Sequence, residues 1–149
     1  MPQSLSRILV HLIFSTKNRA PYFTDAVIRN DLHGYLAATA NQLGCAAIGV
    51  GGVADHVHVL CSLGRTMSVA TVVAKLKLSS NLIMRERNLA QFSWQNGYAA
   101  FSVSESTFDT VTHYVSDQET HHKKITFQDE YRLFLKRHNI SFDERYVWD

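Results

Sequence analysis

Over residues 5–14 the apolar positions alternate. Ile8, Val10, Leu12 and Phe14 fall to one side, and Arg7, Leu9, His11 and Ile13 to the other. A two-residue period with apolar side chains on both faces predicts a central β-strand. Residues 17–21 form a basic turn. From Thr24, read as an N-cap, the period lengthens and Ile28, Leu32, Tyr35, Leu36, Thr39 and Leu43 make one helical stripe. Gly44 closes this helix at the position that favours a left-handed backbone. Residues 45–53 give a second strand, rich in small residues and ending in Gly51-Gly52. Ala54-Asp55 then turns into a third strand, where Val57, Val59 and Cys61 point inward and His56, His58 and Leu60 point the other way. The short connection predicts an antiparallel hairpin.

Ser68 caps a second helix reaching about residue 88, with Val69, Val72, Val73, Leu76 and Ile83 inward and Lys77, Asn81 and Arg85 along the outside. Residues 94–103 make a further strand broken at Gly97. Ser104 or Ser106 opens a helix on which Val111 and Val115 are apolar anchors, while Tyr114, Gln118 and His121 fall at i, i+4 and i+7 on one face. Thr126 caps a last helix, with Asp129 at the capping-box position and Phe127, Tyr131, Phe134 and Leu135 inward. The aromatic tail 142–148 is expected to dock on the body. The order β-α-β-β-α-β followed by helices is that of an α+β, ferredoxin-like (RRM-like) fold. Its antiparallel sheet carries helices on one face and leaves the histidine-bearing face uncovered.

Composition narrows the class. A chain of 149 residues, 46% hydrophobic and 19% charged, suits one compact domain spanning 1–149. Neither a signal-peptide pattern nor an apolar run long enough to span a bilayer is present, so the expected location is the cytoplasm, with no membrane partner. Cys45 and Cys61 fit neither a disulfide framework nor a cysteine-rich zinc site and read as buried structural thiols. The net charge of +2 is small but uneven: residues 1–90 hold nine Lys/Arg against four Asp/Glu, and 91–149 hold six against nine. Such asymmetry permits a basic face for nucleic acid. By charge and location Arg7, Lys17, Arg19, Lys75 and Lys77 are its candidate contacts.

The candidate chemistry centres on Asp55-His56-Val57-His58-Val59-Leu60. Two imidazoles on one strand face make a metal pair; the competing reading is a surface strand with solvated histidines. Tyr114 and Gln118 add a phenol and an amide on one helix face. Two neutral imidazoles and an amide oxygen leave a divalent cation nearly its full charge, as suits a Lewis acid acting on a phosphodiester. Tyrosine would be the nucleophile, its proton removed with help from the cation or a base.

These blocks, with Trp94-Gln95-Asn96-Gly97-Tyr98-Ala99-Ala100-Phe101-Ser102-Val103-Ser104 and Tyr114-Val115-Ser116-Asp117-Gln118-Glu119-Thr120-His121-His122, resemble those of single-tyrosine HUH transposases of the insertion-sequence 200/605 type. The segments 11–19, 127–131 and 143–149 are similar too, so the resemblance runs along nearly the whole chain. It implies a DNA transposase that recognises hairpins near the ends of a mobile element and cuts single-stranded DNA beside them. His56, His58 and Gln118 would hold Mg²⁺ or Mn²⁺, and Tyr114 would form a 5′-phosphotyrosine and release a 3′-OH. It also implies a homodimer in which the tyrosine helix of one subunit completes the metal site of the other. A relative domesticated to process repeated extragenic hairpins is a variant of this reading. Two other classes compete: a non-catalytic single-stranded nucleic-acid platform, against which the free face offers histidines where stacking aromatics are expected, and a structural zinc site, against which the set lacks a thiolate or carboxylate.

Overall fold

A computed structural model describes residues 2–149. Four strands, β1 (Leu9–Ser15), β2 (Ala47–Gly52), β3 (His56–Ser62) and β4 (Ala99–Val103), form one antiparallel sheet in the order β2-β3-β1-β4. The expected hairpin is β2-β3, and β1 is central, with β3 on one side and β4 on the other. Helices α1 (Ala26–Gln42) and α2 (Val69–Glu86) follow β1 and β3. They cover the face carrying Val10, Leu12, Phe14, Val57, Val59 and Cys61, against which Leu32, Leu36, Val72, Leu76 and Met84 pack. The fold is thus α+β, as the order of elements predicts.

Local details differ for local reasons. Asp25, one residue beyond Thr24, caps α1, its carboxylate accepting from the Val27 amide; Asp ranks above Thr as an N-cap. Ser68 and Thr126 cap α2 and α5 (Phe127–Arg137) as expected. Gly44 has φ +77, which explains its place at the end of α1. Ser80, on the buried side of α2, accepts from the Trp94 indole at 2.9 Å and so is satisfied within the core. The strand expected over 94–103 is confined to its second half. Trp94 makes only an isolated bridge to Thr16, and the Gln95 side chain takes over, its Oε1 accepting from the Ser15 amide at 2.8 Å.

The largest departure is on the second face. The sequence pattern leaves it free; here α3 (Phe108–Ser116), α4 (Gln118–His121), α5 and the C-terminal tail cover it. Ile13, Ala99 and Phe101 of the sheet meet Phe127, Tyr131 and Leu135 of α5, with Val147 and Trp148 of the tail packed alongside. α3 lies across β2, and the small residues of that strand are the reason it fits: a Cβ on Gly51 would collide with the Val115 carbonyl oxygen. His56 and His58 are accordingly fully buried rather than solvated.

Candidate metal and nucleophile site

The alternation of β3 puts His56 and His58 on the second face, and the β1 register sets Ser15 opposite His56 and Ile13 opposite His58. Each imidazole is oriented by a neighbour. His56 Nδ1 lies 2.7 Å from Asp55 Oδ1, so Nδ1–H donates to the carboxylate and Nε2 carries the lone pair. His58 Nδ1 lies 2.7 Å from His11 Nε2, a buried imidazole on β1. Burial outweighs the nearby carboxylate at His58, lowering its pKa to about 4, and it lowers His11 well below the usual imidazole range; both are neutral at physiological pH. At His56 burial opposes charge, but the hydrogen bond to Asp55 and the Glu130 carboxylate raise the net value.

Against these rings α5 brings Glu130, only 1% exposed. One carboxylate oxygen, Oε1, lies 3.0 Å from His58 Nε2 and 3.4 Å from His56 Nε2. The other, Oε2, lies 3.1 Å from His121 Nε2 and 3.2 Å from His122 Nε2 and accepts the Tyr114 hydroxyl. Burial alone would raise the pKa of this carboxyl; the imidazoles of His122, His56 and His58 hold it far below the carboxylate range instead. Tyr114 is shifted upward, first by burial and then by Glu130. Its hydroxyl also meets His121 Nε2 at 3.0 Å, and its ring centroid lies 5.7 Å from that of His58.

Tyr114, Gln118 and His121 were expected on one continuous helix. The helix instead breaks at Asp117 (φ −105, ψ 28), between α3 and α4. The Gln118 side chain repairs the break, its Nε2 donating to the Tyr114 carbonyl at 2.9 Å, while its Oε1 is buried without a partner. His56 Nε2 and His122 Nε2 are likewise buried with no hydrogen bond. The imidazole nitrogens of His56, His58 and His122 beside the buried Glu130 carboxylate make a donor set that fits a divalent cation. A cleft of about 540 Å³ reaches the cluster on its Tyr114 side, lined also by His113, His121 and Lys124. A second, of about 530 Å³, lies on the His122 side with Arg29, Asp55 and Lys123.

Glu130, His122 and His11 were not singled out by sequence reading. For Glu130 a signal existed: it lies in the inward stripe Phe127, Tyr131, Phe134 and Leu135, where a carboxylate has no reason to be unless it is paired. Of the basic residues, Lys17 and Lys75 are exposed. Arg7 is exposed and pairs with Glu105 at 2.9 Å. Arg19 has a left-handed backbone, φ 56, with its guanidinium 5.7 Å over the Trp148 ring. Lys77 is not on the solvated face expected for it: its ammonium donates to the carbonyls of Gln95, Asn96 and Gly97 at 2.8, 3.2 and 2.7 Å and holds that loop.

A ferredoxin-like sheet presenting a His-hydrophobic-His strand to a helix-borne tyrosine defines the class of HUH-type DNA-processing proteins. The model of the family "Transposase IS200 like" matches residues 4–118, and the chain belongs to that family. Among solved structures it is similar to a protein from Deinococcus radiodurans R1 assigned as a transposase, at TM-score 0.61 and 24% identity, covering 79% of this chain and 98% of that one. It is also similar to a REP-associated tyrosine transposase bound to a REP hairpin, at TM-score 0.57 and 9% identity, covering 77% of this chain and 68% of that one. No curated protein matches the chain. Among the described residues no helix is long and apolar enough to cross a membrane. The protein is a transposase of the IS200-like family, a class of DNA-cutting enzyme.

Proposed function

We propose that the chain, acting as one domain, cuts and rejoins single-stranded DNA beside a hairpin through a covalent bond to Tyr114. The observation that carries this is the Tyr114 hydroxyl resting on a carboxylate whose other oxygen faces the two strand histidines. The phenol oxygen attacks the phosphorus, the bond to the 3′-oxygen breaks, and that oxygen takes up a proton; the products are a 5′-phosphotyrosine and a free 3′-OH. Glu130 holds the hydroxyl in place, and the phenol proton passes to His121 Nε2, which meets the hydroxyl at 3.0 Å and is part-exposed to solvent. His56, His58 and Gln118 would hold the divalent cation, Mg²⁺ or Mn²⁺, which supplies a Lewis acid for a non-bridging phosphate oxygen. Attack by a later 3′-OH on the phosphotyrosine reverses the chemistry and joins strands. Arg7, Lys17, Arg19 and Lys75 contribute phosphate contacts.

The test is a hairpin-bearing oligonucleotide with an unpaired flank, incubated with the protein and Mn²⁺ and resolved under denaturing conditions. A covalent species is expected with the single strand and not with the perfectly paired duplex, because an unpaired backbone is the more readily drawn into the cleft beside Tyr114. Tight binding with no adduct under any metal would instead make the chain a non-catalytic binder.

A further inference from the structure

Resting on the cleavage reading above but replacing Gln118 in its ligand set, we propose that the cation is held by four side chains of one chain: the imidazoles of His56 and His58 on β3, His122 after α4, and the carboxylate of Glu130 on α5. One ligand atom from each of the four lies within 4.8 Å of all the others. His122 is oriented for the task as His56 is, because its Nδ1–H donates to the Ile125 carbonyl at 2.8 Å and turns Nε2 toward Glu130 Oε2, 3.2 Å away. Metal-ligating imidazoles characteristically donate their second nitrogen to a carboxylate or carbonyl in this way. His56 Nε2 and Glu130 Oε1 lie 3.4 Å apart, a spacing that a cation ligated by both would span. Glu130 would then do two things at once, ligating through one oxygen and holding the Tyr114 hydroxyl with the other. It is a positioning residue for the nucleophile as well as a ligand.

The set of three nitrogens and one carboxylate also ranks metals. For nitrogen donors affinity rises from Mn²⁺ through Co²⁺ to Ni²⁺, whereas Mg²⁺ favours oxygen ligands in octahedral geometry and gives up its waters reluctantly, so it ranks below all three. The protein without DNA is therefore expected to bind one Mn²⁺ or Co²⁺ per chain at least about tenfold more tightly than Mg²⁺.

The test uses the full chain and binding readouts independent of activity. Calorimetric and paramagnetic titrations with Mn²⁺ compare the wild type with Glu130→Gln, His122→Gln and His56→Ala, each checked by melting in chelator. Loss of affinity by about tenfold or more is expected in all three. X-ray absorption of the wild-type Co²⁺ complex, which needs no variant to fold, is expected to show three imidazoles. Two imidazoles, or wild-type affinity in both Glu130→Gln and His122→Gln while His56→Ala fails, would overturn the four-residue set and leave the cleavage chemistry standing on His56, His58 and Gln118. No cation bound by the wild type, with the DNA adduct still forming in chelator, would instead remove the metal from both readings.

Discussion

At the scale of single residues, Tyr114 and Glu130 are coupled, and the coupling sets what substitution does. Tyr114→Phe keeps the ring among His58, His121 and Phe134 and deletes only the oxygen. The covalent adduct should vanish. Stability should fall modestly, by about 1–3 kcal/mol, because a buried carboxylate loses a donor while four imidazoles remain around it; thermal melting checks the second effect. An adduct persisting in this variant and mapping to another tyrosine by mass spectrometry would refute the assignment of the nucleophile. The cysteines give a second residue-scale prediction. Cys45 and Cys61 are fully buried and free, and burial pushes the Cys61 thiol up to about 12. A thiol needs to ionise and be reached to react. Native protein should therefore resist alkylation at both sites at pH 8, and denatured protein should take up two equivalents; one fast-reacting thiol in the native state would contradict the burial.

At the scale of elements, the close fit of α3 on β2 is the feature most exposed to mutation. Gly51→Ala places a methyl where the Val115 carbonyl already lies, so either the helix lifts or the strand bends. Overpacking of this kind costs about 1–3 kcal/mol. Because Tyr114 precedes Val115 on the same helix, the variant should lose adduct formation more than its melting temperature suggests. Gly34→Ala, in open space on α1, is the matched control, expected to keep both. The same contact shows where sequence reading stops. The strands, the antiparallel hairpin, the two helices on the first face and the capping by Ser68 and Thr126 were legible, since periodicity and caps are local signals. So were His56 and His58 on one face and Tyr114 in a helix. What covers that face was not, because burying an amphipathic helix is a tertiary choice: the stripes of α3 and α5 show that each needs a partner, not which surface it takes. The glycines of β2 were read as a strand end when they mark a close backbone approach. Glu130 was missed because the capping role of its neighbour Asp129 accounted for the acidic character there, and Lys77 was placed outside because a 3.6-residue period cannot foresee a loop folding back to receive its ammonium.

At the scale of the whole molecule, the question is which chain a tyrosine serves. The family resemblance implies exchange between subunits, yet here Tyr114 reaches Glu130 and His121 of its own chain, and those residues adjoin the chain's own His56 and His58. α3 is moreover anchored within the chain by Val115, which is fully buried and packs onto β2. Moving the tyrosine to a partner would require lifting that contact and setting the partner's helix in the same place on β2. The discriminating experiment mixes Tyr114→Phe with His56→Ala, after confirming by size-tagged pull-down whether the two associate. Under exchange, the His56→Ala chain would donate its tyrosine to the intact histidines of the other, and adduct would appear on the His56→Ala chain. The structure predicts none above the level of either variant alone, since each chain then lacks either its own nucleophile or its own ligand. Adduct restored on the His56→Ala chain would show that the arrangement seen here opens and exchanges before cleavage, with Glu130 guarding the resting site rather than serving the reaction.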